Sequence, residues 1–174
     1  MRETKDLILK KAKQDDWRDI YENLWQHDIS AKYMLWRPTR SEAEAQIRIQ
    51  KTIEHQKRNP YTYLVYEKKS GQAIGFAGMT KIDENVYEDT GIAVGPSFVR
   101  KGYGKQVLME LVWLAFEELG AAKFLASCRK QNIASRQLQL SCGFTYSHSE
   151  KRIDPRDGTD YEVEFYVLKN EKAM

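Results

Sequence analysis

The chain has 174 residues, 41% hydrophobic and 30% charged, with a formal net charge of +3. That length suits one domain, expected over residues 1–170 with a loose tail at 171–174, able to bury roughly two thirds of its unfolded surface. No apolar run approaches the ~20 residues of a membrane span. The opening MRETKDLILKKAKQDDW lacks the apolar centre of a secretory signal, so a cytoplasmic location is expected. So mild a positive charge gives no argument for nucleic acid. Cys128 and Cys142 are too few for a disulfide framework, and His27, His55 and His148 have no zinc-ligand spacing, so no metal is expected.

In chain order, Leu7-Ile8-Leu9 reads as a short strand, and Asp15-Asp16 as the N-cap of a helix with Trp17, Ile20, Tyr21, Leu24 and Trp25 on one face. After Arg37-Pro38, the Ser41-Glu-Ala-Glu44 capping box opens a second helix, which Asn59-Pro60 ends. Tyr61 to Tyr66 and Ala73 to Met79 form a hairpin across Gly71, and Val86 to Val94 a third strand. Gly104 to Leu119 carries Val107, Leu108, Leu111, Val112, Ala115, Phe116 and Leu119 at helical spacing, with Gly120 as its stop. Phe124 to Cys128 is a buried strand, Asn132 caps a short helix that ends at Gly143, and two strands close the chain around Pro155-Arg-Asp-Gly158. The order βααβββαβαββ predicts an α/β (α+β) fold with one mixed, mostly antiparallel sheet and helices on both faces.

The stretch VGPSFVRKGYGK, Val94 to Lys105, joins the third strand to the long helix through Gly102 and Gly104. Such a turn aims unpaired backbone N–H groups and the positive end of a helix dipole at one place, where an anion binds. Arg100, Lys101 and Lys105 can add charge at its rim. A plain strand-to-helix turn with solvated cations is the alternative. The spacing fits neither a dinucleotide fingerprint, since Val107 stands where its third glycine belongs, nor a P-loop.

Val94-x-Pro96 with Lys101-Gly102-Tyr103-Gly104 resembles the pyrophosphate-wrapping motif of the GNAT acetyltransferases. Downstream, Asn132-x-x-Ser135-x-x-Leu138 ending in Cys142-Gly143-Phe144 is similar to that family's pantetheine-arm segment. Lys32 to Pro38, Ser41-x-x-Glu-Ala45 and the Asp157-Gly158 turn resemble the ribosomal-protein N-terminal (RimJ/RimL-like) subgroup. The resemblance implies the GNAT fold, acetyl-coenzyme A as cosubstrate and a primary amine as acceptor, on a peptide or a small molecule. It also implies cofactor contacts from Ile92, Ala93, Val94, Val99, Arg100, Lys101, Gly102, Tyr103, Gly104, Lys105, Asn132 and Ser135, and homodimers paired through the last strands. Val99 occupies the family's usual Arg or Gln position and the arginine follows at Arg100, so the amides of the loop are expected to carry the pyrophosphate.

Acetyl transfer to an amine needs a base, an oxyanion donor and a proton for the departing thiolate. Glu88 and Asp89 are the candidate bases; as strand neighbours they point to opposite faces unless a bulge intervenes. By resemblance Glu88 stands at the glutamate-base position of the family's histone-acetylating branch and is preferred, whereas Asp89 stands where the ribosomal-protein subgroup often has an acidic residue. Both could instead be surface carboxylates, the amine losing its proton to water. The resemblance assigns the oxyanion role to a backbone N–H near Val94. Gln139 stands where many relatives have a tyrosine acid, and the resemblance to the ribosomal-protein subgroup implies Ser135 as the proton donor, ahead of Tyr103 and Tyr146, with helix capping as the other use of Ser135. Cys142 reads as a buried structural thiol, so direct transfer is expected. Tyr33, Trp36 and Arg37 are expected to line the acceptor cleft. A module of the same fold that holds a coenzyme A thioester or docks on the ribosome without turnover is the rival reading.

Overall fold

The computed structural model describes residues 1–173. Its strands are β1 (Arg2–Glu3), β2 (Leu7–Lys10), β3 (Thr62–Glu67), β4 (Ala73–Asp83), β5 (Val86–Val94), β6 (Lys123–Arg129), β7 (Thr145–Ile153) and β8 (Asp160–Lys169). They form a sheet of order β1-β2-β3-β4-β5-β6-β8-β7. The helices are α1 (Trp17–Ile20), α2 (Asp28–Ala31), α3 (Glu42–Arg58), α4 (Tyr103–Trp113) and α5 (Ile133–Ser141). The expected elements are all present. The two-residue β1 and the single turn of α2 are additions, each too short to leave a periodic signal in sequence. Neighbouring strands run antiparallel from β1 to β4 and at β6–β8 and β7–β8, whereas β5 and β6 run parallel.

The chain packs as two compact units, one of residues 1–79 and 90–110, the other of residues 80–89 and 111–174. In the first, Ile20, Leu24 and Trp25 meet Ala45 and Ile49 of α3 and Leu64 and Tyr66 of β3, with Trp17 and Tyr21 packed at the margin. The predicted face of α1 is therefore the buried one, although it continues past Ile20 as a wider turn, Tyr21–Trp25, in which Gln26 N–H donates to the Tyr21 carbonyl. Asp15 and Asp16 do not cap it. Gln14–Asp16 form a tight turn of their own, and the Asp16 carboxylate accepts from Lys13 N–H (2.7 Å) and the Tyr66 hydroxyl (2.5 Å), bracing that turn against β3.

Ser41 does cap α3, its hydroxyl accepting from Glu44 N–H at 3.2 Å, while the Glu44 carboxylate reaches one residue further back, to Arg40 N–H at 2.9 Å. Truncating a fully buried side chain such as Leu64 to Ala would cost about 2–5 kcal/mol.

In the second unit β6 pairs with β8 over seven residues, and the Phe124 and Phe144 rings meet edge to face at 6.1 Å. Asp154 opens the Pro155–Gly158 turn as a buried carboxylate bridged to Arg129 (2.6 Å) and Arg156 (2.8 Å), which hold it well below the usual carboxylate range. Asn170 is buried, its side chain donating to the Ala121 carbonyl (3.0 Å) and its N–H to that of Ala122 (2.9 Å), and Glu171–Ala173 form one tight turn. α4 runs into a wide turn, Leu114–Glu118; Val107, Leu108, Leu111, Val112 and Ala115 are buried as their spacing predicts, and Leu114 joins them.

Candidate active site

The Gly102 turn belongs to the first unit. Gly95 begins it: a Cβ there would stand 2.0 Å from the Asn23 carbonyl oxygen, so only glycine lets the chain leave β5 along that path. Pro96–Phe98 make one tight turn, then Arg100 (φ +61°) and Gly102 (φ +77°) both adopt left-handed backbone. A Cβ on Gly102 would meet nothing within 4 Å, so the glycine answers the dihedral and keeps the space in front of the turn open. α4 starts directly after it, Gln106 N–H donating to the Gly102 carbonyl, so the N–H groups of Tyr103 and Gly104 have no acceptor within the helix.

Glu67, at the end of β3, pins both flanks of this turn and carries no local signal that would single it out. Its buried carboxylate accepts from the Tyr103 hydroxyl at 2.6 Å and pairs with Lys101 at 3.7 Å. The Tyr103 bond, ahead of the opposing effect of burial, lowers the Glu67 pKa, and the same bond pushes the Tyr103 hydroxyl up to about 12. Lys101 is thus turned to Glu67, and Tyr103 is a strut with its hydroxyl committed. Val99 and Arg100 are exposed; Ile92, Ala93 and Val94 are half-buried along β5.

Glu88 and Asp89 lie in the second unit. β5 pairs with β6 only from Val86 opposite Lys123 to Glu88 opposite Leu125, although each strand runs on, to Val94 and to Arg129. Where the main-chain ladder stops, the Asp89 carboxylate takes over, accepting a hydrogen bond from Ser127 N–H. Burial, with the neighbouring charge of Glu88 adding to it and the Ser127 bond opposing it, pushes Asp89 up to about 8. Glu88 is raised by burial, against the field of Arg152, and both Glu88 and Asp89 are half-buried by surface exposure. The two carboxylates have different neighbours, as alternation along a strand requires.

Asn132 caps α5 as expected, its side-chain oxygen accepting from Ser135 N–H at 3.2 Å. The Ser135 hydroxyl accepts from the Gln139 side chain at 3.4 Å and hydrogen-bonds the Cys128 thiol, which burial pushes up to about 11. Gln139, buried, also donates to the Ser127 carbonyl (3.2 Å), and its own side-chain oxygen has no hydrogen-bond partner in the structure. Asp89, Ser127, Gln139, Ser135 and Cys128 form one polar chain, of which the sequence singled out two for catalysis and Gln139 only for the tyrosine it replaces. Tyr146, the other candidate acid, is exposed and pairs with Ser149. Cys142 is buried at the end of α5.

Tyr33, Trp36 and Arg37 precede α3 in the first unit. Trp36 and Arg37 share a cavity that Tyr33 does not line; Tyr33 is half-buried, under the Lys32 ammonium at 5.1 Å. Among the described residues, no group of three or more His, Cys, Asp or Glu is placed to hold a metal, and no helix is long and apolar enough to cross a membrane.

Residues 6–145 match the acetyltransferase (GNAT) domain, and the chain belongs to that family of acetyl-coenzyme A-dependent enzymes. An FsC-acetyl coenzyme A-N(2)-transacetylase from Aspergillus fumigatus is 34% identical over 84 residues, 47% of this chain and 36% of that protein, so the chain spans well under two thirds of this relative's length. Two solved structures share the fold. RimL, a ribosomal L7/L12 alpha-N-protein acetyltransferase in complex with coenzyme A, superposes with a TM-score of 0.77 at 20% identity over 95% of each chain. The microcin C7 self-immunity acetyltransferase MccE, in complex with acetyl-CoA and AMP, gives 0.80 at 17% identity over 96% of this chain and 94% of its own.

Proposed function

We propose that this chain transfers the acetyl group of acetyl-coenzyme A to a primary amine by direct attack in a ternary complex, with Asp89 as the base. The observation that carries the assignment is the carboxyl of Asp89, pushed up to about 8 by burial where the β5–β6 ladder stops. An ammonium must lose its proton before it can attack, and a base serves best with a pKa near the working pH. Asp89 meets that requirement better than Glu88, the choice that the resemblance favours.

The pyrophosphate is assigned to the turn of Val99 to Lys105, held mainly by main-chain N–H groups with Arg100 and Lys105 supplying charge. The left-handed Arg100 and Gly102 and the Glu67 clamp support this, because they fix the direction of the amides before any ligand arrives. The acetyl carbonyl is assigned to a main-chain N–H of Ile92 to Val94, on the part of β5 that lies past its paired stretch with β6. Ser135 is the proton source for the thiolate. Its hydroxyl already engages a sulfur, that of Cys128, and Gln139 holds the oxygen from behind. With the Tyr103 hydroxyl committed to Glu67, no better donor is at hand among the three candidates.

The test is thiol release from acetyl-coenzyme A across a panel of peptides and small amines. Release should rise with pH along a limb near 8 that vanishes in Asp89→Asn. Saturable acetyl-coenzyme A binding without release for any amine would put the silent module in place of the enzyme.

A further inference from the structure

The cavity beside α3, about 520 Å³, is bounded by Trp36 and Arg37 of the preceding loop and by Glu44, Ile47, Arg48 and Lys51 of the helix. Three of these six side chains are cationic and one is acidic. The Glu44 carboxylate is already engaged by Arg40 N–H at 2.9 Å.

Arg48 is the unusual member. Its guanidinium lies between two indoles, 4.5 Å from the Trp25 ring and 4.7 Å from the Trp36 ring. One of its terminal nitrogens donates to the Thr39 hydroxyl (3.0 Å) and the Arg37 carbonyl (3.4 Å), both neutral acceptors. No carboxylate among the described residues stands within ion-pair distance of it, and burial lowers its pKa to about 10. A desolvated cation with neutral partners is costly, and tying down a loop through two neutral oxygens does not require a charge. The remaining guanidinium N–H groups form a planar fork suited to a carboxylate or a phosphate. The two indoles flank that fork, and Lys51, on the same face of α3 one turn on, brings a second positive charge.

We propose that this cavity binds an oxyanion, a carboxylate or a phosphate, carried by the amine that the enzyme acetylates, with Arg48 and Lys51 as its charged donors. The proposal rests on the acetyl-transfer reading for the amine but not for the anion. It narrows the acceptor to amines that bear a negative group, such as acidic peptide N-termini or aminoalkyl phosphates.

The full chain is titrated with succinate and, separately, with inorganic phosphate, neither of which has an amine, following tryptophan fluorescence and calorimetry. Saturable binding of one anion identifies the source. It should weaken about tenfold or more in Arg48→Gln and in Lys51→Gln, less in Arg48→Lys, and fall as salt rises. Circular dichroism identifies any variant that fails to fold, and Lys51→Gln, an exposed change, keeps the test decisive if Arg48→Gln does. Matched acceptors follow: a peptide beginning with Glu against one beginning with Gln, and aminoethyl phosphate against ethanolamine. The anionic member of one pair should have the larger kcat/KM, and Lys51→Gln should erase the difference. Absence of binding at tens of millimolar, or equal binding by the folded variants, overturns the site. Equal kcat/KM within both pairs overturns its role in selection. Saturable anion binding with no amine acetylated overturns the acetyl-transfer reading alone.

Discussion

The turn around Gly102 and the carboxyl at Asp89 both manage charge close to protein, and they do it by opposite means. At the turn the groups proposed to work are main-chain amides, fixed by backbone conformation and braced by Glu67, and their donor capacity does not change over the ordinary pH range. At Asp89 the group proposed to work is one side chain whose state is set by burial and by its charged neighbour Glu88. Geometry governs the first region and dielectric surroundings the second, so substitutions should separate them: binding should fail at one, proton transfer at the other.

The largest effect is expected at Asp89. Asp89→Asn should lower kcat by roughly 10²–10⁴-fold and remove the pH limb near 8, leaving the acetyl-coenzyme A dissociation constant nearly unchanged. Loss of binding of similar size would merge the two regions into one. Gly102→Glu should abolish the rise in melting temperature that acetyl-coenzyme A produces, a stabilisation of about 2.7 kcal/mol at 100 times the dissociation constant. An unchanged shift would place the phosphates elsewhere. Glu67→Gln, which keeps the shape but weakens a charged hydrogen bond worth about 1.5–3 kcal/mol, should raise KM for acetyl-coenzyme A about tenfold with little change in kcat. A kcat-only defect would contradict its bracing role.

Glu88→Gln should cost less than about threefold in rate at neutral pH, because its charge bears on Asp89 only as a neighbour. A larger loss, confined to neutral pH, would hand the base role back to Glu88. The last effect is on stability. The raised pKa of Asp89 means that the folded chain holds a proton there which the unfolded chain has released, so stability falls as pH climbs from the ordinary carboxylate range to about 8. Asp89→Asn should flatten that slope in urea titrations, and a slope that persists would assign it to another group.

The sequence speaks clearly where a local rule links residue to shape. Glycine marks the turn because few other residues accept φ +77°, and β5 ends at Val86 and Val94 where alternation and Pro96 place its limits. Asn132 announces the start of α5 because its side chain satisfies an N–H three residues on. The rest depends on partners distant in the chain. The family resemblance favours Glu88, but nothing local tells that Asp89 meets Ser127 where a ladder ends. Glu67 looks like the last residue of a strand until Tyr103 reaches it, and Arg48 like one more exposed helix cation until two tryptophans enclose it. Asp16 repeats the lesson on a smaller scale, a cap by composition that is a brace by contact.

The sheet's two margins carry unequal hazards. β1 offers two residues, whereas β7 presents nine, mostly exposed, on the other side of its pairing with β8. A free margin of that length is a template on which any extended chain could grow a fibril. Glu150, Lys151 and Arg152 mix signs along it, and the slip in register between Tyr146 and His148 spoils the flat, repeating surface that endless stacking needs. Replacing those charges with threonine would therefore be felt first in shelf life and in the crowded cell.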